Sequence, residues 1–207
     1  EKGKILIFIH TDMTFHKKYL EKLVNPLLKD KRIIGTTHEL ETVRNTQNIW
    51  SRCWGEIRVS KEDAKNVPIF RAIRKKEFLK KGGFDPKYGY ADDQTFWFKY
   101  QIKPVVAQGT VCYHKNPETL EGVYKQSKWI GASINKKIFE INPLNYISIL
   151  MMLILSPFVI LVLSIKKVKQ TKNYKVFFPW MIIFIFYRYF GTLKGLLDKI
   201  RKDVNIR

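Results

Sequence analysis

The chain has 207 residues and a formal net charge of +20, from 38 Lys and Arg against 18 Asp and Glu. That length fits one ordinary domain plus an appendage, and so basic a chain has two natural partners, nucleic acid or an anionic membrane surface. Residues 142–207 hold 11 basic and 2 acidic side chains although their longest stretches are wholly apolar, and cations flanking apolar runs point to a membrane. Cys53 and Cys112 stand far apart in no metal-like spacing, which predicts reduced thiols on a cytosolic side. Residues 1–20 open on charge and then a short apolar run, which is not the pattern of a signal peptide.

Lys4–Ile9, KILIFI, is a continuous apolar run of strand length, of the kind buried in a parallel sheet. It runs into His10, Thr11 and Asp12. Tyr19, Leu20, Leu23, Val24 and Leu27 recur at helical spacing, and Ile33, Ile34 and Gly35 open a second strand. Strand, helix, strand predicts an α/β unit, in which ligands gather beyond the carboxyl ends of strands, where Asp12 lies. From spacing alone Asp12 reads as a turn or cap residue. Glu39–Lys61 mixes Trp50 and Trp54 with Arg44, Arg52 and Arg58. Basic residues among aromatics can bind single strands, but no nucleic-acid module accompanies them, so the segment reads as an amphipathic helix and no nucleic-acid partner is expected.

Backbone freedom, paired acids and a helix start coincide in Gly82–Tyr100, GGFDPKYGYADDQTFWFKY. Gly82, Gly83, Pro86 and Gly89 shape a loop. Asp92 and Asp93 head a run whose Phe96, Trp97 and Tyr100 suit one side of a helix, which puts two carboxylates at a helix N-terminus. They are either a cap and a dipole-complementing acid, or a general base with a neighbour whose repulsion raises its proton affinity. Val105–Tyr113 reads as a strand ending at His114.

Ile141–Ile165 is 25 residues without a charge, long enough to cross the hydrocarbon layer. Five lysines follow in Lys166–Lys175, and Val176–Leu193 is a second apolar stretch interrupted by Arg188. The pattern predicts either a hairpin or one span with an interfacial helix. The expected organisation is an α/β portion over 1–140, which the resemblance given next makes an acceptor half, a membrane segment over 141–195 with helices at about 144–165 and 176–193, and a basic tail over 196–207.

The stretch from Phe70, FRAIRKKEFLKKGGFDPKYGYADDQTFWFK, resembles the acceptor half of family 2 glycosyltransferases of the GT-A fold. In that family an arginine-containing strand and helix lead into GGFD, and an acidic pair opens the helix lining the acceptor site. The resemblance implies Asp93 as catalytic base with Asp92 beside it, and places Arg71, Gly83 and Tyr90 on the substrate side. His10-Thr11-Asp12 stands where the family has Asp-x-Asp, so Asp12 matches the metal-binding acid and His10 replaces the other. His114 matches a histidine after the final strand that approaches the metal or diphosphate. Pro117, Thr119, Leu120, Gln126, Trp129 and Gly131 are similar to the segment and helix that come next in the family, which implies substrate contacts by Gln126 and Trp129.

As a fold, the resemblance implies an α/β protein with a partial GT-A sheet, flanking helices and a C-terminal membrane helix or hairpin. As chemistry, it implies Mn²⁺ or Mg²⁺, a nucleotide-sugar donor, a polyprenyl-phosphate-linked or glycan acceptor, and a catalytic portion on the cytoplasmic side of the cell membrane. Family members carry a nucleotide-binding half before the metal motif, so the expectation is an acceptor half completed by a further portion or a partner chain. The competing expectation is a membrane scaffold that keeps the fold without the chemistry.

Overall fold

The computed structural model describes residues 3–133, 150–151, 153–171 and 174–205, without the side chains of residues 90, 170–171, 174–177 and 200–205. They form two compact units, residues 1–46 with 56–116, and residues 47–55 with 117–207.

The first unit is a mixed sheet. Its strands are β1 (Ile5–Ile7), β2 (Met13–Phe15), β3 (Gly35–Val43), β4 (Ile57–Val59), β5 (Ala72–Arg74) and β6 (Val105–His114). They run in the order β1-β5-β3-β6-β2, with β4 on β3. Only β3 and β6 pair in parallel. The apolar run at the start of the chain is therefore not a strand inside a parallel sheet. It is an antiparallel edge strand, and Ile9 beyond it is 53% exposed.

Helix α1 (Tyr19–Lys29) buries Tyr19, Leu23 and Leu27 against Met13, Ala72, Ala107 and Cys112, as its apolar spacing predicts. Its last carbonyls accept from Arg74, whose guanidinium reaches Leu27 O and Asp30 O. A second core gathers Phe70, Ile73 and Phe96 with Phe8, Phe78 and Phe84. Gly35 starts β3 against it, where a Cβ would come within 2.6 Å of the Phe70 ring.

Glu39–Lys61 is not one helix. Its first residues complete β3, then come a short α2 (Ile49–Trp54) and β4. The β-branched and aromatic content of the segment serves strand pairing and packing instead.

The second unit is helical, with α2, α5 (Leu120–Ala132), α6 (Ser156–Thr171) and α7 (Tyr174–Asn205). Thr119 caps α5 by accepting from Gly122 N at 3.0 Å. Helices α5 and α7 approach through glycine: a Cβ on Gly191 would lie 2.7 Å from Tyr124 O, and Gly131 and Gly195 face the main chain of Thr192 and Lys128. Cys53 and Val123 are buried with Ile160, Val168, Met181 and Phe184. Trp50 and Trp54 make edge contacts with Trp180 and Phe184 at 5.8 and 5.6 Å, so they anchor α2 by packing.

Of the apolar stretch 141–165, residues 141–149 and 152 lie outside the described residues, and α6 takes up its end. Phe178–Lys199 within α7 is a 22-residue stretch long and apolar enough to cross a membrane, and it contains Arg188.

Candidate active site

The GGFD motif is a positioning device. Helix α3 (Lys75–Lys80) closes as Gly82 N donates to Leu79 O and Gly83 N to Phe78 O, both at 3.0 Å. Both glycines have positive φ, +79° and +70°, the combination that ends a helix without a Cβ clash. Phe84 then enters the phenylalanine core. Asp85 accepts from Lys87 N at 3.1 Å to start a 3-10 segment over Pro86–Gln94 and pairs with Lys99 at 2.7 Å. The buried Thr95 hydroxyl donates to Asp92 O at 2.6 Å and accepts from Asp85 N at 2.8 Å, so one side chain clamps both ends of the loop.

Asp92 and Asp93 consequently lie in the 3-10 segment before α4 (Thr95–Tyr100), whose N-cap is Gln94. Neither acid is the cap. Both line a cleft of about 450 Å³ with Ile7, Phe8, Ile9, His10, Phe70, Arg71 and Phe84. The Asp93 carboxyl is pushed up to about 6, first by burial, with repulsion from Asp92 adding a smaller part and Arg71 opposing. Desolvation followed by the Arg71 charge pulls the His10 imidazole below its ordinary value.

Behind the cleft is a charged network centred on Glu41, which is 4% exposed. Its Oε1 lies 3.1 Å from His114 Nδ1 and 3.5 Å from Arg58 Nε. Its Oε2 lies 3.0 Å from His38 Nε2 and 3.7 Å from Arg71 Nη2. Neither imidazole nitrogen meets hydrogen-bond geometry with the carboxylate, and each contact is an ion pair only when its ring is protonated, which burial disfavours at His38. Burial alone would raise the Glu41 carboxyl, but His114, His38 and Arg71 outweigh it and hold it well below the carboxylate range. His38 Nδ1 also faces Cys112 Sγ at 3.3 Å and Tyr19 OH at 3.5 Å, and burial pushes the Cys112 thiol up to about 12.

Strand register builds this arrangement. His114 pairs with Met13 across β2 and with Val43 across β3. Lys115 N donates to Asp12 O at 2.8 Å, and Asp12 Oδ2 comes 3.0 Å from His114 Nε2. Side chains three apart on a regular strand face opposite sides, yet His38 and Glu41 meet, because the β3–β6 register shifts between His38 and Leu40. Gly109, at φ +72°, and Thr110 shape that bulge, with Gly109 N donating to Glu39 Oε2 at 2.9 Å.

Two donor sets can be weighed as metal sites. Asp12 Oδ2 and His114 Nε2, 3.0 Å apart, fit adjacent corners of an octahedron with bonds of about 2.1 Å, and Glu41 behind Nδ1 is the supporting carboxylate such a histidine ligand takes. His38, Glu41 and Cys112 form the one three-ligand cluster among the described residues, their atoms within 4.8 Å of one another. That cluster fits a cation poorly, since Arg58 and Arg71 already stand on its carboxylate and its thiol is held neutral.

The structure therefore groups Asp92, Asp93, Arg71 and His10 in one cleft. Asp12 and His114 are in contact outside its walls and tied to it through Glu41 and Arg71. Gly83 sits against the Phe78 ring in the helix closure. The Tyr90 side chain lies outside the described residues. Gln126 and Trp129 lie on α5 in the second unit, Trp129 at 58% exposed. Sequence reasoning missed Glu41 and His38, for which the signal was Gly109 inside a β-branched run, the mark of a bulge, and it read Arg58 only as part of a basic and aromatic segment. Compared with models of known protein families and with curated protein sequences, the chain matches none.

Proposed function

We propose that the protein is a membrane-associated glycosyltransferase that moves a sugar from a nucleotide-sugar to an acceptor hydroxyl, lipid-linked or on an envelope glycan, with inversion at the anomeric carbon. The observation that carries the reading is the cleft carboxyl of Asp93, raised to about 6 beside Arg71, because a general base works best with a proton affinity near the operating pH. Asp93 takes the proton from the acceptor hydroxyl as that oxygen attacks, and Asp92 orients the hydroxyl. The Arg71 guanidinium, 6% exposed and with Nε and Nη1 free of hydrogen-bond partners, stabilises negative charge arriving in the cleft.

Glu41 fixes the His114 ring and the Arg71 head group at once. Asp12 and His114 would hold a divalent cation, Mn²⁺ or Mg²⁺, with His10 nearby; such an ion supplies charge neutralisation to a departing diphosphate. The apolar α7 stretch supports association with the cell membrane, and the cytoplasmic side, where nucleotide-sugars are made available, is the side this chemistry needs. A scaffold without chemistry is the alternative, favoured by His10 standing where a second acid would chelate.

Calorimetry with Mn²⁺ and a panel of nucleotide-sugars on the intact protein tests the reading. The expected result is Mn²⁺-dependent binding that Asp12→Ala abolishes and His38→Gln leaves in place. Binding indifferent to Asp12→Ala removes the metal role, and no binding at all favours the scaffold.

A further inference from the structure

In the first unit, helices α3 and α4 end side by side, and lysines alternate with aromatic rings across their ends. Tyr100 OH donates to Lys81 O at 3.0 Å, and the Lys81 ammonium lies 4.7 Å from the Tyr100 ring centre, so the two helix ends are joined. Tyr88 packs on Phe98 at 4.8 Å, with the Lys87 ammonium 4.9 Å from the Tyr88 ring centre. Lys103 stands 4.7 Å over the Trp97 ring. Asp85 bridges Lys99 at 2.7 Å and Lys87 at 3.4 Å. These contacts chain the loop, α4 and the end of α3 into one surface. Lys80, next to Lys81, extends it along α3, because Lys76, Leu79 and Lys80 are all exposed and share one helix face.

Two features of this surface call for a partner. The first is apolar exposure. Leu79 is 62%, Phe98 43% and Tyr100 42% exposed, although Phe78 and Phe96 on the same helices are packed in the phenylalanine core. The second is charge. Residues 75–103 hold seven lysines, and outside the cleft their acids are Glu77 and Asp85. Asp85 already serves two lysines, so the surface keeps a positive charge after its own pairing is counted.

We propose that the α3–α4 face is a docking surface for an anionic phospholipid bilayer. Rings with lysines beside them are the makeup of segments that lie at a membrane interface, and lysines there are drawn by the negative surface potential. Single-stranded nucleic acid also takes lysines and rings, but by stacking bases on open ring faces. Here a lysine ammonium covers one face of Tyr88, Trp97 and Tyr100, and exposed Leu79 has no stacking surface. The chain also carries its own route to a bilayer in the apolar Phe178–Lys199 stretch. Asp92 and Asp93 share the 3-10 segment of Lys87 and Tyr88, so docking brings the cleft's loop to the lipid surface. The proposal does not depend on sugar transfer.

The test is lysine footprinting of the intact protein, reading acetylation rates by mass spectrometry in nanodiscs of dioleoylphosphatidylcholine, alone or mixed with dioleoylphosphatidylglycerol. In the anionic discs Lys80, Lys99 and Lys103 should react about fivefold more slowly than in the zwitterionic ones, and about 0.5 M NaCl should remove the difference. Lys31, exposed beyond α1, should react alike in both. Lys76→Gln/Lys80→Gln changes two exposed positions and should restore the rates at Lys99 and Lys103 to within about twofold of the zwitterionic value. Phe98→Ser should do the same through the loss of a ring. Equal rates in the two discs, equal slowing at Lys31, or undiminished protection in Lys76→Gln/Lys80→Gln overturns the proposal. Slowing of these lysines by oligouridylate but not by phosphatidylglycerol also overturns it, and gives the face to single-stranded nucleic acid.

Discussion

In the first unit a carboxylate, two guanidiniums and two imidazoles are packed out of water beside β3 and β6. In the second, α5 and α7 press glycine onto main chain and fill the rest with aromatic and aliphatic side chains. The first arrangement depends on charge balance and so on single protons and single substitutions. The second depends chiefly on volume, with the Lys128–Asp198 ion pair as a charged contact between α5 and α7. A protein that needs a tuned site and a stable anchor gains from keeping the two kinds of packing apart.

The comparison breaks most severely at Glu41. Glu41→Gln leaves Arg58, Arg71, His38 and His114 without their common anion, and unfolding in urea at neutral pH should show a loss of about 3–5 kcal/mol. A loss below 1 kcal/mol would mean that the network is dispensable.

Gly191→Leu probes the other side. Its Cβ would stand 2.7 Å from Tyr124 O, and the helices must part, costing about 1–3 kcal/mol by the same amount at pH 5 and pH 8. A pH-dependent loss there would erase the contrast between the units.

The smallest effect belongs to Asp93. Its carboxyl titrates near 6 in the folded protein against 3.8 for the ordinary group, so between those values the folded state holds more protons than the unfolded one. Stability therefore falls as pH rises through about 4 to 6. Asp93→Asn removes that slope and should be more stable than the parent at pH 7.5 by about 1–2 kcal/mol after allowance for remaining solvent contact, with no gain at pH 4. Paired urea curves at the two pH values check it.

These expectations also mark what the sequence could and could not tell. Tyr19, Leu23 and Leu27 announced the buried face of α1 because a period of 3.6 survives folding. The double glycine of GGFD announced a left-handed turn because few other residues adopt one. Asp92 and Asp93 could be placed in a cleft from that punctuation, although burial rather than mutual repulsion proved the larger cause of the Asp93 shift. Glu41 could not be found, since its environment is made by the bulge at Gly109 and by Arg58, Arg71 and His114, all remote in sequence. The same holds for β1, whose apolar letters look alike in a central and an edge strand.

The central claim is that Asp93 is the base of a sugar transfer, and the pH profile of that transfer tests it most directly. Release of nucleoside diphosphate from a nucleotide-sugar, with Mn²⁺ and acceptor present, should rise in kcat/KM as pH climbs through about 6 and then level, tracking the Asp93 carboxyl. Asp93→Asn should lower kcat by about 10²–10⁴ and abolish the inflection. Full acceptor-dependent turnover in that variant, or a profile without an inflection near 6, would contradict the account.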